Sequence, residues 1–256
     1  MRLEVLGCSG GVGLGSDTTS FLVDDDLLID AGTGVSRLSL DSSLEVKTVV
    51  LTHSHLDHIS HLPFLLNNTI GKTTQPLHIY GLEETIEALK QHIFNNVIWP
   101  DFSKLPSAEC PSLVFHTFSV GDVLSINDKI ITVLPAEHTV PAVGFHVEKA
   151  GSCFAFSGDT AKNESFWTAL NLLSPVEMLI VDNQYLASEK EISRKAKHYY
   201  AASLKQDYLL LNYPTKLYLT HLPPNAREEV FTEAVKIFSP QKIYALSEGK
   251  VYNFPI

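Results

Sequence analysis

Three histidines and one aspartate follow a short β-branched segment of the chain and lie within six positions of one another. The segment Lys47–Leu51 is predicted to be a strand, and the sequence then continues Thr52-His-Ser-His-Leu-Asp-His58. Loops that follow the ends of strands are the usual place for a functional site. Imidazole and carboxylate are the ligands that suit zinc, manganese and iron. This run of residues therefore predicts a metal site at the end of a buried strand.

A simpler interpretation has to be weighed against the metal site. One histidine in a polar loop usually only hydrogen-bonds to water or to the backbone, but four ligand-type side chains in one loop favour a metal. In a turn, His53 and His55 can converge on one ion, while Asp57 and His58 face a second one. Three more candidates, His138, Asp159 and His221, each follow a predicted strand. Taken one at a time, His138 and His221 are more often capped-loop or core histidines, and Asp159 also suits a turn or an N-cap.

Composition limits the kind of protein. The chain has 256 residues, of which 45% are hydrophobic, and no repeat or long linker divides it, so residues 1–256 are predicted to form a single domain. The net charge of −10 disfavours a general nucleic-acid binder. No segment has the composition of a signal peptide or a membrane span. The three cysteines are scattered, which favours a reducing compartment, so we expect a soluble cytoplasmic protein without a membrane partner.

Strand-like segments dominate the first half of the chain, and helical patterns then alternate with strands. The predicted strands are Arg2–Leu6, Ser20–Val23, Leu27–Ile29, Lys47–Leu51, Leu77–Tyr80, Lys129–Leu134, Phe145–Glu148, Cys153–Ser157, Met178–Val181, Leu217–Leu219 and Lys242–Ala245. The predicted helices are Glu83–Asn95, Glu164–Leu173, Tyr199–Leu211 and Ala226–Ile237. This order predicts sheets with helices packed outside them.

The motif His53-Ser-His-Leu-Asp-His58 resembles the HxHxDH signature of the metallo-β-lactamase superfamily. Later residues of this chain match the order in which that family supplies a His, an Asp and a final His, and Asp30-Ala-Gly-Thr-Gly34 resembles its DxG turn. The resemblance implies an α/β (α+β) fold, an αββα sandwich of two mixed sheets flanked by helices. A site for two metal ions would lie between the sheets.

The resemblance also implies a role for each ligand. His53, His55 and His138 would hold one ion, and Asp57, His58 and His221 would hold the other. Asp159 would bridge the two divalent ions, for which zinc is the first choice and manganese or iron the alternatives. Relatives that reduce oxygen or nitric oxide at di-iron sites carry Glu at the position of His55, so this histidine favours hydrolysis.

Within the superfamily, two segments resemble class II cyclic-nucleotide phosphodiesterases. They are His55-Leu-Asp-His-Ile-Ser60 and His92–Phe102, while His61 and the stretch Asp182–Tyr185 depart from that pattern. The resemblance implies hydrolysis of a 3′,5′-cyclic nucleotide, cAMP or cGMP, to the 5′-nucleotide by a metal-bridging hydroxide. Asp57 would orient the attacking hydroxide or accept its proton, and the expected partner is this small phosphodiester. Whether the chain forms a homodimer is left open.

His198 is the candidate proton donor for the leaving oxygen. It resembles the catalytic histidine that the tRNA 3′-processing endonuclease branch carries in a short loop before a helix. The alternative is a solvated residue in the basic run Arg194–His198.

Two other functions compete with the cyclic-nucleotide assignment. One is hydrolysis of RNA ends, as in the tRNA 3′-processing endonucleases, or of another small phosphodiester. We see no Gly- or Lys-rich insertion that would form the tRNA-holding arm of those enzymes. The other function is that of a non-catalytic metal- or nucleotide-binding sensor, which a metal-dependent turnover assay would distinguish from an enzyme.

Overall fold

The computed structural model of the chain describes residues 1–255. Its strands are β1 (Arg2–Gly7), β2 (Ser20–Val23), β3 (Leu27–Ile29), β4 (Thr48–Val50), β5 (Leu77–Gly81), β6 (Pro106–Ser107), β7 (Cys110–Pro111), β8 (Leu113–Thr117), β9 (Val123–Ile126), β10 (Lys129–Pro135), β11 (Val143–Lys149), β12 (Ser152–Phe156), β13 (Met178–Asp182), β14 (Lys216–Thr220), β15 (Ile243–Ala245) and β16 (Val251–Asn253). Its helices are α1 (Leu40–Glu45), α2 (Leu56–Ile59), α3 (Leu62–Thr69), α4 (Glu83–His92), α5 (Glu164–Leu170), α6 (Lys190–Ala196), α7 (Ala201–Tyr208) and α8 (Arg227–Phe238).

Fourteen of the strands form two seven-stranded sheets with the same mixed design, and β6 and β7 pair with each other. The first sheet has the order β16-β1-β2-β3-β4-β5-β8, and the second has the order β15-β14-β13-β12-β11-β10-β9. In the first sheet the pairs from β3 to β8 are parallel and the others antiparallel. In the second sheet the pairs from β12 to β15 are parallel and the others antiparallel. Each sheet therefore has one parallel half, where strand ends and their loops gather at one edge.

A layer of apolar side chains fills the space between the two sheets. Phe21 of the first sheet and Phe156 of the second meet edge to face, with ring centroids 5.0 Å apart, and both are fully buried. Val50 points into the same layer, whereas its neighbours Val49 and Leu51 belong to a second apolar layer. Successive residues of a strand face opposite sides, so β4 is buried on both faces. This explains why Val49–Leu51 is apolar without alternation.

Helices cover the outer face of each sheet. Helices α3 and α4 bury apolar residues such as Leu65 and Ile86 against the first sheet. Helices α5, α7 and α8 do the same against the second sheet, with Trp167 and Leu204 among the fully buried side chains. The layer order is therefore helix, sheet, sheet, helix, and the predicted αββα sandwich is confirmed.

Several elements differ from the sequence prediction. The helices α1, α2, α3 and α6 were not predicted, nor were the strands β6, β7, β8, β9 and β16. The segment after β4, predicted to be a turn, contains α2, which has only four residues and carries polar side chains. So short a helix shows no apolar period, and its stability comes from tertiary packing. Within residues 1–255, no helix has the length and apolarity that crossing a bilayer requires.

Candidate metal centre

The predicted ligands gather at the edge of the sandwich where the parallel strands end. Asp30 directly follows β3, the motif Thr52–His58 follows β4, and Asp159 and His221 follow β12 and β14 within three residues. Parallel strands place their carboxyl ends at one edge of a sheet, and the loops there are open to solvent. Two sheets packed face to face bring both sets of loops together. The fold thus joins residues that are far apart in the sequence.

The first ligand group consists of His53, His55 and His138. One ring nitrogen from each lies within 4.8 Å of the others. Nδ1 of His55 and Nε2 of His138 are 3.1 Å apart. The three rings meet edge to face, with centroids 4.7 to 4.9 Å apart, so the nitrogens converge on a common point.

The second ligand group consists of Asp57, His58, Asp159 and His221. Nε2 of His58 lies 3.5 Å from Oδ2 of Asp57 and 3.3 Å from Oδ2 of Asp159. Nδ1 of His221 lies 3.4 Å from Oδ1 of Asp159. This group mixes two carboxylates with two imidazoles, which is a donor set that divalent transition metals accept.

Asp159 lies between the two groups. Its Oδ2 atom is 3.8 Å from Nε2 of His53 and 4.0 Å from Nε2 of His138, in addition to its contact with His58. One carboxylate therefore faces both groups, as a bridging ligand would have to.

The spacing of these atoms fits a metal better than it fits hydrogen bonds. With metal–nitrogen bonds of about 2.0–2.1 Å, two ligands of a tetrahedral ion are about 3.3–3.4 Å apart. The shortest separations within the groups, from 3.1 to 3.5 Å, lie close to this value. Three ring nitrogens, Nε2 of His53, Nε2 of His58 and Nδ1 of His221, are buried without a well-aligned hydrogen-bond partner among residues 1–255. An unsatisfied buried polar atom costs about 1–3 kcal/mol, and a bound ion would remove that cost.

Asp30 fixes the orientation of His58 from behind. Its buried carboxylate accepts hydrogen bonds of 2.8 Å from both the backbone N–H and the hydroxyl of Thr52, and it lies 2.7 Å from Nδ1 of His58. This contact leaves Nε2 of His58 free to face the other members of the second ligand group. A carboxylate that holds the second nitrogen of a ligating histidine is common at metal sites. The sequence marked Asp30 only as part of a turn, so this role was missed.

Two glycines allow the loops to approach each other. A Cβ atom on Gly32 would lie 2.1 Å from the backbone oxygen of Asp57, so this position of the Asp30–Gly34 turn has no room for a side chain. Gly158 has φ +62°, and a Cβ atom there would lie 2.3 Å from the oxygen of Val143. Asp30 and His221 also have positive φ values, of 58° and 60°. Such left-handed backbone in non-glycine residues is strained and often occurs at functional sites.

His198 is buried beside the centre and does not lie on a solvated face. It is 9% exposed, and its Nδ1 atom is 2.8 Å from Oδ2 of Asp182. Its ring stacks on His221 with centroids 5.0 Å apart, and it lies 4.9 Å from the ring of His138. The surface interpretation of His198 is therefore wrong. Asp182 was missed as its partner, although it ends a strand as the other site residues do.

The electrostatic environment shifts the pKa values of the buried histidines in different directions. Burial, together with the neighbouring His58, lowers the pKa of His53 well below its usual value, which leaves its lone pair available for a metal. Burial opposes the charge of His58, yet Asp159 and Asp30 raise the pKa of His58 well above its usual value. Burial likewise opposes the charge of His198, but the carboxylate of Asp182 outweighs it and raises the pKa of His198 to about 9.

The remaining histidines lie outside the two ligand groups. His61 begins α3 and packs against the ring of Phe64, with centroids 5.4 Å apart. His116 lies on β8 and His146 on β11. His146 is buried, with Nε2 3.0 Å from the backbone oxygen of Ser174. This is a satisfied core histidine.

The αββα sandwich with a His/Asp cluster at its strand ends defines the class of protein, the metallo-β-lactamase fold. Residues 26–230 match the family model described as a beta-lactamase superfamily domain. The chain therefore belongs to this superfamily, as its motif predicted. The crystal structure of unliganded yeast PDE1 has the same fold, with a TM-score of 0.82, 17% sequence identity and 98% coverage of both chains.

Two curated relatives carry names that specify a substrate. Ribonuclease Z from Acaryochloris marina is 28% identical over 174 residues, which cover 63% of this chain and 52% of the relative. A 3′,5′-cyclic-nucleotide phosphodiesterase from Schizosaccharomyces pombe is 40% identical over 63 residues, which cover 25% of this chain and 18% of the relative. The match thus spans about half of the first relative's length and less of the second.

Proposed function

We propose that the protein is a metal-dependent phosphodiesterase that hydrolyses a 3′,5′-cyclic nucleotide, cAMP or cGMP, to the 5′-nucleotide. The observation that carries the proposal is the buried His198–Asp182 pair beside the two ligand groups. One ring nitrogen of His198 lies within 4.8 Å of ligand atoms of His138 and Asp159. A proton donor next to a dinuclear centre suits a substrate whose leaving group is a poor one, such as a ribose oxygen.

The first ligand group would hold one divalent ion and the second would hold the other, with Asp159 between them. Two ions bound there would supply Lewis acidity, which lowers the pKa of water and neutralises charge on the phosphoryl oxygens. The donor set of imidazole and carboxylate suits zinc, with manganese and iron as alternatives.

The residues of the chain then supply proton transfer and orientation. Asp57 has a carboxylate that is 30% exposed, so it can meet a water molecule at the open side of the centre and accept its proton as the new P–O bond forms. His198 donates the proton of its Nε2 atom to the ribose oxygen as the old P–O bond breaks. Asp182 holds Nδ1 of His198, which fixes the ring and favours its protonated form.

The cyclic-nucleotide substrate rests on the phosphodiesterase relative and on the segment His92–Phe102. In this segment Phe94 packs in the core beneath the first sheet, whereas Ile98 is 63% exposed. A substrate screen tests the proposal: purified, metal-loaded protein with cAMP, cGMP, 2′,3′-cyclic nucleotides, bis-p-nitrophenyl phosphate and a tRNA precursor. We expect the 3′,5′-cyclic nucleotides to be hydrolysed much faster than the precursor.

A second candidate is processing of RNA ends. The longer match to ribonuclease Z, over 63% of this chain, favours it. Efficient trimming of the tRNA precursor, with cAMP and cGMP inert, would replace the first proposal by this one.

A further inference from the structure

A cavity of about 330 Å³ lies next to His198. Its wall includes His198 and residues of α6 and α7, but none of the seven residues of the two ligand groups. A cavity of this size is large enough for a nucleotide-sized ligand. His198 is thus shared between the metal centre and this second space.

The wall of the cavity carries a concentration of positive charge. Lys162, Lys190 and Arg194 line it, against a single acidic residue, Glu191. We call this space the basic cavity. It stands out in a chain whose net charge is −10. Arg194 forms an ion pair of 2.8 Å with Glu191, but its guanidinium has five N–H donors, so most of them remain for a ligand.

The other two cations are more weakly engaged. Lys162 lies 3.9 Å from the carboxylate of Asp207, and Lys190 has no ion-pair partner within 4.0 Å among residues 1–255. Two elements contribute these charges, since Lys162 lies in the loop after β12 and Lys190 begins α6. Uncharged hydrogen-bonding side chains, Ser203 and Gln206 of α7, complete the wall. This combination suits a phosphate group together with a polar sugar or base.

The position of the cavity tells which part of a substrate would reach it. His198 is the proton donor for the leaving oxygen in the function proposed above, so the group attached to that oxygen lies on the His198 side. We propose that the basic cavity binds a phosphate carried by the leaving nucleotide, and that the enzyme therefore also cleaves linear dinucleotides with a 5′-phosphate. This inference rests on the proposed phosphodiester hydrolysis.

The reaction balances without any further reactant. Water adds to the phosphorus of the internal diester, the bond from phosphorus to the 3′-oxygen breaks, and His198 supplies the proton of the new 3′-hydroxyl. The adenylate dinucleotide pApA would give two molecules of 5′-AMP. The same dinucleotide without the terminal phosphate, ApA, would give adenosine and 5′-AMP.

The test compares kcat/KM for pApA and ApA in one preparation of metal-loaded enzyme. Because the ratio of the two values does not depend on the active fraction, it isolates the contribution of the terminal phosphate. We expect the wild type to prefer pApA by about tenfold or more, since charge-assisted hydrogen bonds to a phosphate are stronger than neutral ones, although exposure weakens them. The double substitution Lys190→Gln/Arg194→Gln should reduce the preference to about twofold or less, and Lys162→Gln alone should lower it about threefold.

The matched control removes two positive charges elsewhere. Lys195 lies on the same helix but does not line the cavity, and Lys216 is exposed on β14. Lys195→Gln/Lys216→Gln should keep the wild-type preference. Equal kcat/KM values for pApA and ApA in the wild type, or a preference that survives in Lys190→Gln/Arg194→Gln, would overturn the inference. Hydrolysis of bis-p-nitrophenyl phosphate by the same wild-type preparation would show that the phosphodiesterase proposal itself still stands, whereas its absence would overturn both.

Discussion

Replacing His198 with Ala should slow cyclic-nucleotide hydrolysis far more than hydrolysis of bis-p-nitrophenyl phosphate. A ribose alkoxide is a poor leaving group and needs a proton, whereas p-nitrophenolate departs without one. Burial opposes the charge of His198, but the carboxylate of Asp182 outweighs it and raises the pKa of His198 to about 9, which favours the protonated form that a general acid needs. The variant should therefore lose most of the contribution of a general acid, about 10²–10⁴-fold in kcat for cAMP.

The measurement is kcat for both substrates, together with the metal content of wild type and variant. Loss of less than about tenfold is expected with the p-nitrophenyl ester, and both metals should be retained. Equal losses on the two substrates, or no loss on either, would refute the role of proton donor. Loss of metal would instead make His198 a ligand, since it lies within 4.8 Å of ligand atoms of His138 and Asp159.

Asp182→Asn offers a complementary variant that keeps His198 in place. Burial would still oppose the charge of His198, but the carboxylate that raises its pKa would be gone. The alkaline limb of the pH profile for cAMP should then move to lower pH, because His198 would lose its proton earlier as the pH rises. A merely structural role of Asp182 would reduce kcat without moving this limb.

Three further outcomes follow from the contacts described above. Asp159→Ala should abolish activity and lower the metal content measured by elemental analysis, whereas Asp25→Ala, at an exposed position, should change neither; wild-type protein without bound transition metal after metal-replete purification would contradict the proposed centre. Asp30→Asn should weaken metal binding by about 10–100-fold in a chelator competition, because the carboxylate that orients a ligating histidine is lost. Unchanged metal affinity would show that Asp30 does not orient His58 for metal binding. The hydrogen bond from Lys149 helps to lower the pKa of Asp128 to about 2, below its ordinary value of 3.8, so this ion pair stabilises the fold above about pH 4 and is lost as the pH falls toward 2. Chemical denaturation between about pH 4 and pH 2 should show a smaller loss of unfolding free energy in Lys149→Gln than in wild type. The difference should not exceed about 1 kcal/mol, because the ion pair is exposed. Equal losses in the two proteins would contradict a stabilising role of this ion pair.

The sequence by itself determined the elements and chemistry that depend on neighbouring residues. The β-branched run before Thr52 is a strand because its apolar side chains suit burial on both faces, and this is readable locally. The strands that precede His138, Asp159 and His221 were predicted from the same local pattern. The ligand types, imidazole and carboxylate, already indicated divalent metals. Family order then grouped the residues, and the tertiary structure brings the same groups together.

Only the tertiary structure decided which distant side chains support the centre. Asp182 and His198 are 16 positions apart, and Asp30 and His58 are 28 apart, so their contacts depend on how strands and loops pack. No local pattern encodes such a distance, and in the sequence His198 was equally consistent with a wet helix face. The same holds for the basic cavity, since its charges come from two separate elements. A hydrogen bond or a cavity wall is a property of packed surfaces, and those surfaces exist only once the two sheets and their helices have closed around the core.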